Sequence, residues 1–275
     1  MTRRRREPGS RHGEGRRSRN KGPAKKPDVR SAGQVYGVQP VLEALKSGRV
    51  RHVALSRAAG AATEKVRLAA AEAGVPLAEV SKEELETRTG SDRHQGVVAQ
   101  LDVNDVPTVD VADLLFRAEA QGEAPLVVLL DGIEDPMNLG AIIRSAFAMG
   151  AHGVVIPKNR AAQITPTVVR ASAGAALHLP VAQVVNVKHA VDELMAHDVF
   201  CVAAAAGGAA ADAVNLAGPL GLVVGGEARG VRPNLAQRCD AVVSIPQIEA
   251  FDSLNASVAA GILLYEATRQ RRGAR

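Results

Sequence analysis

Three short polar clusters interrupt an otherwise apolar pattern in this chain of 275 residues: "NLGAIIR" (Asn138, Gly140, Arg144), "GGEARG" (225–230) and "SLNAS" (253–257). Each falls where an apolar run ends or a helical pattern begins. Open α/β sheets bind their ligands at such ends, so Asn, Arg, Glu and Ser bordered by glycines define a candidate ligand crevice. Each cluster also has a plainer reading. Asn138 and Ser253 could cap helices, Gly225 and Gly226 could turn the chain, and Glu227 could be a solvated carboxylate beside Arg229. The crevice is favoured because three separate segments would otherwise place these residue types at equivalent sheet positions for unrelated reasons.

Other site chemistries fail on spacing. The sequence has no GxxxxGK[ST] phosphate cradle, no GxGxxG after a strand and no GxSxG nucleophile elbow. Its seven histidines are scattered, and His94 and His178 read as packing or hydrogen-bonding residues. Cys201 and Cys239 stand 38 residues apart without a CxxC, which indicates neither zinc nor a disulfide framework and fits a reduced, cytoplasmic setting.

The elements that must carry the clusters follow from periodicity. Leu139, Ile142, Ile143, Ala146 and Phe147 form the stripe of a helix packed on a sheet. Asn138 takes the N-cap position after Pro136, and Gly140 lies one turn below Arg144. Glycine there costs about 1 kcal/mol against alanine, so it should be opening space for Arg144. Nearly continuous apolar runs at 126–130, 153–156, 199–206, 220–224 and 241–245 predict parallel strands covered on both faces. A last helix, from "SLNASVAAGILLYEATRQRR", places Leu254, Val258, Ile262 and Tyr265 along one stripe. Upstream, "RHVALS", a helix over 61–73, "GVPLAEV" and "GVVAQLDV" predict a smaller α/β unit.

The division is thus an arm (1–32), a small unit (33–103), a connector carrying one helix (104–124) and a larger unit (125–275). The formal net charge of +5 is a property of the arm: residues 1–30 hold 12 Lys and Arg against three acids, and the remaining 245 residues sum to −4. So polar an arm should be disordered alone and suits phosphate contact. It has no apolar segment after its arginines, so it is not a signal peptide, and no apolar run is long enough to span a membrane. With no Trp, two Tyr and four Phe, the chain lacks the stacking platform of a dedicated single-strand RNA binder.

At the three clusters the chain resembles the SpoU (TrmH-like) family of RNA 2′-O-methyltransferases. The resemblance rests on "NLGAIIR", "GGEARG" and "SLNASVAAGILLYE", in that order over residues 124–271. Between them, "RSAFAMGAHGVVIPKNRAAQITPTVVRASAGA" resembles the RlmB-like subgroup, which methylates a guanosine of 23S rRNA. "YGVQPVLEAL" and "HQGVVA" resemble that subgroup's amino-terminal substrate domain. Gln39, Gln247 and Glu249 depart from the residues common in relatives, where His, Met and Gly are usual.

The resemblance implies an α/β fold with two parts. These are a small RNA substrate-binding domain and a SPOUT domain whose parallel sheet carries a deep trefoil knot, an exception to unknotted topology. It implies S-adenosyl-L-methionine as cofactor, RNA as partner, no metal, and a homodimer with the active site built across the interface. Gly225, Gly226, Ile245 and Leu254 would line the cofactor pocket, and Asn138, Arg144, Glu227, Ser253 and Asn255 would surround the reacting centre. Arg144 would clamp a phosphate and lower the cost of a developing alkoxide, since its pKa above 12 makes it a poor base. Asn138 would keep the ribose or the arginine in register. The alternatives are a tRNA or resistance-type rRNA target, or a non-catalytic ribosome-assembly protein of the same fold.

Overall fold

The computed structural model describes residues 33–58, 60–101, 108–227, 229–248 and 254–274. The basic arm, Ser253 and Glu249 lie outside the described residues. The described residues form two sheets. The smaller has strands β1 (Gln34–Tyr36), β2 (Val50–Ser56), β3 (Leu77–Val80) and β4 (Val97–Leu101) in the order β1-β4-β2-β3, with helices α1 (Val38–Lys46), α2 (Ala61–Glu72) and α3 (Lys82–Thr89). Only the β2–β3 pair in this sheet is parallel. His94, buried in the turn before β4, accepts from the Gly96 N–H through Nδ1 at 3.0 Å, the hydrogen-bonding role its sequence context suggested.

The larger sheet has seven strands, each paired parallel to its neighbours. They are β5 (Thr108–Val109), β6 (Leu126–Asp131), β7 (Gly153–Pro157), β8 (Val181–Val184), β9 (Phe200–Ala210), β10 (Leu220–Gly225) and β11 (Ala241–Ser244). Their order is β11-β9-β10-β6-β7-β8-β5. The five apolar runs match β6, β7, β9, β10 and β11; β8, only four residues long and interrupted by Gln183, does not stand out in the sequence. The connector supplies helix α4 (Val111–Ala120) and also the edge strand β5. Helices α5 (Pro136–Ala148), α6 (Pro166–Ala171), α7 (Val187–Ala196), α8 (Pro233–Ala236) and α9 (Ala256–Gly273) complete the unit.

All six residues of β6 and all six of β10 are buried, as continuous apolar strands under two helical layers must be. Each such Val or Leu side chain contributes roughly 1.5–3 kcal/mol by leaving water. From β6 the chain runs to β7 and β8 on one side, then crosses to β9 and β10 on the other. The crevice at the carboxyl ends of β6 and β10 is therefore the switch point of the sheet, where open α/β folds bind ligands.

Three local expectations are corrected. Helix α5 starts at Pro136, and its cap is Asp135, whose carboxylate accepts from Met137 N–H at 2.9 Å; Asn138 sits in the first turn. Proline suits a first helical position, where its missing N–H would have had no partner, so it begins the helix instead of delaying it. Gly140 does not clear room for Arg144: a Cβ there would lie 2.4 Å from the Ala171 Cβ and 3.0 Å from Ser172 N, so the glycine lets α6 press onto α5. On α9 the buried face is Ala256, Ala260, Leu263, Leu264 and Ala267, while Val258, Ile262 and Tyr265 are 49%, 41% and 57% exposed. Alanines permit close approach to α5, where Gly261 faces Ser145, so the larger apolar residues are left outward. Phe147 on α5 is likewise 44% exposed.

Burial pushes the Cys201 thiol up to about 12 and that of Cys239 up to about 11, which keeps both protonated and unreactive at neutral pH. Among the described residues no helix is long and apolar enough to cross a membrane. None of them form a cluster of three or more metal-ligating side chains.

His152, before β7, is 1% exposed and accepts the Leu126 N–H through Nδ1 at 3.0 Å. Burial lowers its pKa, only partly countered by Glu123 at 3.5 Å, while Arg271 and Arg117 lower it further. A depressed histidine means that the unfolded chain binds more protons as pH falls. The stability it contributes is therefore complete above the unfolded value of about 6.5 and lost below it. We expect the melting temperature to drop as pH falls from about 7 through this range, and His152→Asn, which keeps an acceptor for Leu126, to flatten the slope in a thermal-melting series.

Candidate active site

The site is built where β6 and β10 end side by side, with Asp131 paired in register to Gly225. Asp131 is 4% exposed and holds the following loop at both ends. Its carbonyl accepts from Gly226 N–H at 3.0 Å. Its carboxylate accepts from Arg232 N at 3.0 Å, from Arg232 Nε at 2.9 and 3.1 Å, and lies 2.7 Å from Arg232 Nη2. Between these anchors Gly230 N–H returns to the Gly226 carbonyl at 2.8 Å, which brings the two glycines back together. A Cβ on Gly225 would stand 1.9 Å from the Gly230 carbonyl carbon, and one on Gly226 would stand 2.2 Å from the Gly132 oxygen. Close backbone approach, not backbone conformation, requires both glycines.

Beside this loop lies a cavity of about 600 Å³. Gly225, Gly226, Ile245 and Leu254 all line it, together with Ala204–Ala206 from β9 and the departing Gln247. The alanine wall arises from a jump in register: Val242 of β11 opposes Ala203, but Val243 opposes Ala209, so β9 bows out between them. The lining is mostly small and apolar with glycine backbone on one side, the character of a small-molecule pocket.

At the rim, three of the predicted site residues meet. Asn138 Nδ2 donates to Glu227 Oε1, and Asn255 Nδ2 donates to Asn138 Oδ1 at 3.1 Å. Asn255 is itself fixed as the cap of α9, its Oδ1 accepting from Ser257 N–H at 2.9 Å, Ser257 Oγ at 2.6 Å and Val258 N–H at 3.3 Å. The starts of two helices and the glycine loop are thus tied through one amide. Arg144 is not part of this triad. It is exposed on α5 and, among the described residues, makes no hydrogen bond or ion pair with Asn138, Glu227 or Asn255. Ser253 lies outside the described residues.

The sequence reading missed Asp131 and Arg232, the pair that holds the loop, and Arg229, which lines the cavity. One signal was present: a carboxylate closing the buried run "LVVLLD" must find a partner, because burying it unpaired is costly.

The SpoU rRNA Methylase family model matches residues 125–265, and the RNA 2′-O ribose methyltransferase substrate-binding model matches residues 34–105. The chain is 42% identical over 249 residues to an uncharacterized tRNA/rRNA methyltransferase of Mycolicibacterium vanbaalenii, covering 87% of this chain and 77% of the relative. It is 40% identical over 242 residues to the putative TrmH family tRNA/rRNA methyltransferase YacO of Bacillus subtilis, covering 86% and 95%. Among solved structures, the SpoU methyltransferase AviRb from Streptomyces viridochromogenes, in complex with AdoMet, superposes with a TM-score of 0.68 at 28% identity, covering 87% of this chain and 90% of AviRb. The chain belongs to the SpoU rRNA methylase family. It is an RNA 2′-O-ribose methyltransferase, with a substrate-binding domain ahead of the methylase domain.

Asp131→Asn keeps the carbonyl contact to Gly226 but removes the charge facing Arg232. We expect it to destabilise the protein by about 1–3 kcal/mol, the range for a charged hydrogen bond lost at a half-exposed partner. Amide exchange should rise at Gly226 and Arg232 more than in the core of β6, measured by hydrogen–deuterium exchange.

Proposed function

We propose that this enzyme methylates the ribose 2′-hydroxyl of one guanosine in 23S rRNA, working in the cytoplasm as a homodimer. The observation that carries the reading is the Asn138–Glu227–Asn255 triad at the rim of a glycine-bordered cavity. S-adenosyl-L-methionine is the cofactor. The residues present fit it: the volume is of the right order for such a molecule, the alanine and valine walls suit an adenosine, and the glycines leave backbone groups open to it. When bound, the cofactor supplies an electrophilic methyl group.

The chain's own residues then have to place a hydroxyl in line with that methyl and take its proton. Asn138 donates to Glu227 and so keeps the carboxylate at the rim, where it or an adjacent RNA phosphate receives the proton. Asn255 orients the Asn138 amide, and Ser253 is assigned to the reacting set by the family resemblance alone. Arg144 presents a fixed guanidinium fork to the phosphate beside the reacting ribose and stabilises negative charge developing on oxygen. Its exposed position on α5, apart from the triad, supports its use by the site of a second copy.

The homodimer is supported by the outward apolar residues Met137 and Phe147 on α5 and Val258, Ile262 and Tyr265 on α9. A set of large apolar side chains left in water on two packed helices marks an association surface. In this reading residues 33–103 grip RNA, residues 104–124 join them to the catalytic residues 125–275, and the basic arm adds salt-sensitive phosphate contacts. The trefoil knot belongs to the same reading. Support comes from α9, which leaves the β11 edge yet packs on α5 in the middle of the sheet. The guanosine of 23S rRNA is favoured over tRNA by the sequence resemblance in both domains.

With methyl-labelled S-adenosyl-L-methionine and unmodified large-subunit rRNA, mapping of alkali-resistant positions should find one labelled guanosine. Arg144→Ala should lower the rate by about 10²–10³ with cofactor affinity unchanged, and Arg144→Lys by at least about tenfold. Label on tRNA alone would overturn the target, and cofactor binding without transfer to any RNA would favour the non-catalytic alternative. Ile262→Asp should convert the dimer to a monomer in light scattering.

A further inference from the structure

The substrate-binding domain is docked onto the methylase domain by a specific set of contacts. Residues 165–179, comprising α6 and the turn after it, form the platform. Arg170 on α6 places its guanidinium carbon 4.4 Å from the centroid of the Tyr36 ring on β1. Its Nη1 donates to the Gln34 carbonyl at 3.4 Å, and its Nη2 donates to Thr167 Oγ1 at 3.1 Å, which fixes the fork from its own helix. At a second point, Glu43 Oε2 on α1 lies 3.2 Å from His178 Nε2. Glu43 Oε1 meanwhile accepts from Gln39 Nε2 and Lys46 Nζ, each at 2.9 Å. Gln39, one of the departures from the common pattern, thus orients the carboxylate that docks.

Two features show that the fit is built. Gly174 has φ +93, and a Cβ there would come 2.3 Å from the Glu43 Cβ, so both its conformation and its bareness serve the seating of Glu43. Between the two points, Val35, Val41, Ala44 and Leu45 of the small domain join Val168, Val169, Ala175 and Ala176 in one buried apolar cluster. An apolar centre ringed by polar contacts is the anatomy of a specific interface. The platform also reaches the site. The His178 ring stacks on Phe147 with centroids 5.8 Å apart, three residues after Arg144 on α5, and Gly140 seats α6 directly against that helix.

We propose that Arg170, Tyr36 and Glu43 are positioning residues that lock the RNA-gripping domain at a set distance and angle from the reacting centre. They thereby decide which nucleotide is methylated. A displacement of about 1 Å at a reacting centre costs on the order of 10²-fold in rate, so a rigid mount is worth more than added affinity. The inference rests on the reading of residues 33–103 as the part that grips RNA, but the docking itself can be tested without RNA.

The chain has no tryptophan, so Tyr36→Trp installs a sole tryptophan in the clasp, excitable selectively beyond the absorption of Tyr265, and keeps a ring under Arg170. In this full-length background, Arg170→Ala with Glu43→Ala should shift emission to the red and raise acrylamide quenching severalfold. Emission and quenching unchanged from the parent would overturn the clasp. In the otherwise wild-type chain the same double change should leave cofactor affinity intact, lower kcat on rRNA at least tenfold with a smaller change in KM, and spread label to neighbouring nucleotides. Tyr36→Phe, which keeps the ring, should retain the single site, and the milder pair Arg170→Lys with Glu43→Gln should fall between. Raised quenching with the wild-type kcat and the wild-type nucleotide would overturn the positioning role. A wild-type enzyme that labels no RNA would instead overturn the proposed function, leaving the fluorescence result to decide the docking.

Discussion

The site depends on one buried carboxylate. Asp131 sits at the end of a fully buried strand, where an unpaired charge would cost several kcal/mol. Its position is stable because four N–H groups point at it: one reaches its carbonyl and three, all from Arg232, reach its carboxylate. Those groups belong to Gly226 and Arg232, on either side of the turn that closes at Gly230. Satisfying the charge and fixing the loop are therefore the same event. With the loop fixed, Glu227 has a defined place, and through Asn138 the starts of α5 and α9 are held to it.

The same logic of close approach recurs wherever the chain has given up a side chain. Gly225 and Gly226 let backbone meet backbone at the cavity, Gly140 lets α6 meet α5, and Gly174 lets Glu43 reach the platform. A mid-helix glycine costs roughly 1 kcal/mol, and at Gly140 that cost is borne where α6 presses onto α5. The result is a continuous path of packed groups from the small domain, through α6, to the helix that carries Asn138 and Arg144.

Helices α5 and α9 show why hydrophobicity alone misassigns faces. Both carry apolar residues around more than one side, and the faces they share are chosen by size. Alanines and a glycine allow the axes to come close, whereas Val258, Ile262 and Tyr265 would hold them apart. Dispersion gained over a close contact outweighs burial of bulk at a distance. The bulk left outside is then available for association.

The sequence by itself determined the class and its main parts. The nearly continuous apolar runs fit strands covered on both faces, and the three polar clusters were legible because three separate segments place such residue types at equivalent strand ends and helix starts. They also carried the family resemblance that the comparisons bear out. Tertiary structure alone decided which groups touch. Asn138 and Glu227 are 89 residues apart, and Asn138 and Asn255 are 117 apart, so no local pattern could report their contact. Nor could periodicity tell that Pro136 opens its helix, that Gly140 serves α6, or that the large residues of α9 face outward. Each of these is settled by a neighbour distant in sequence, because packing distance and paired charge are properties of surfaces meeting, and a single segment holds only one of the two.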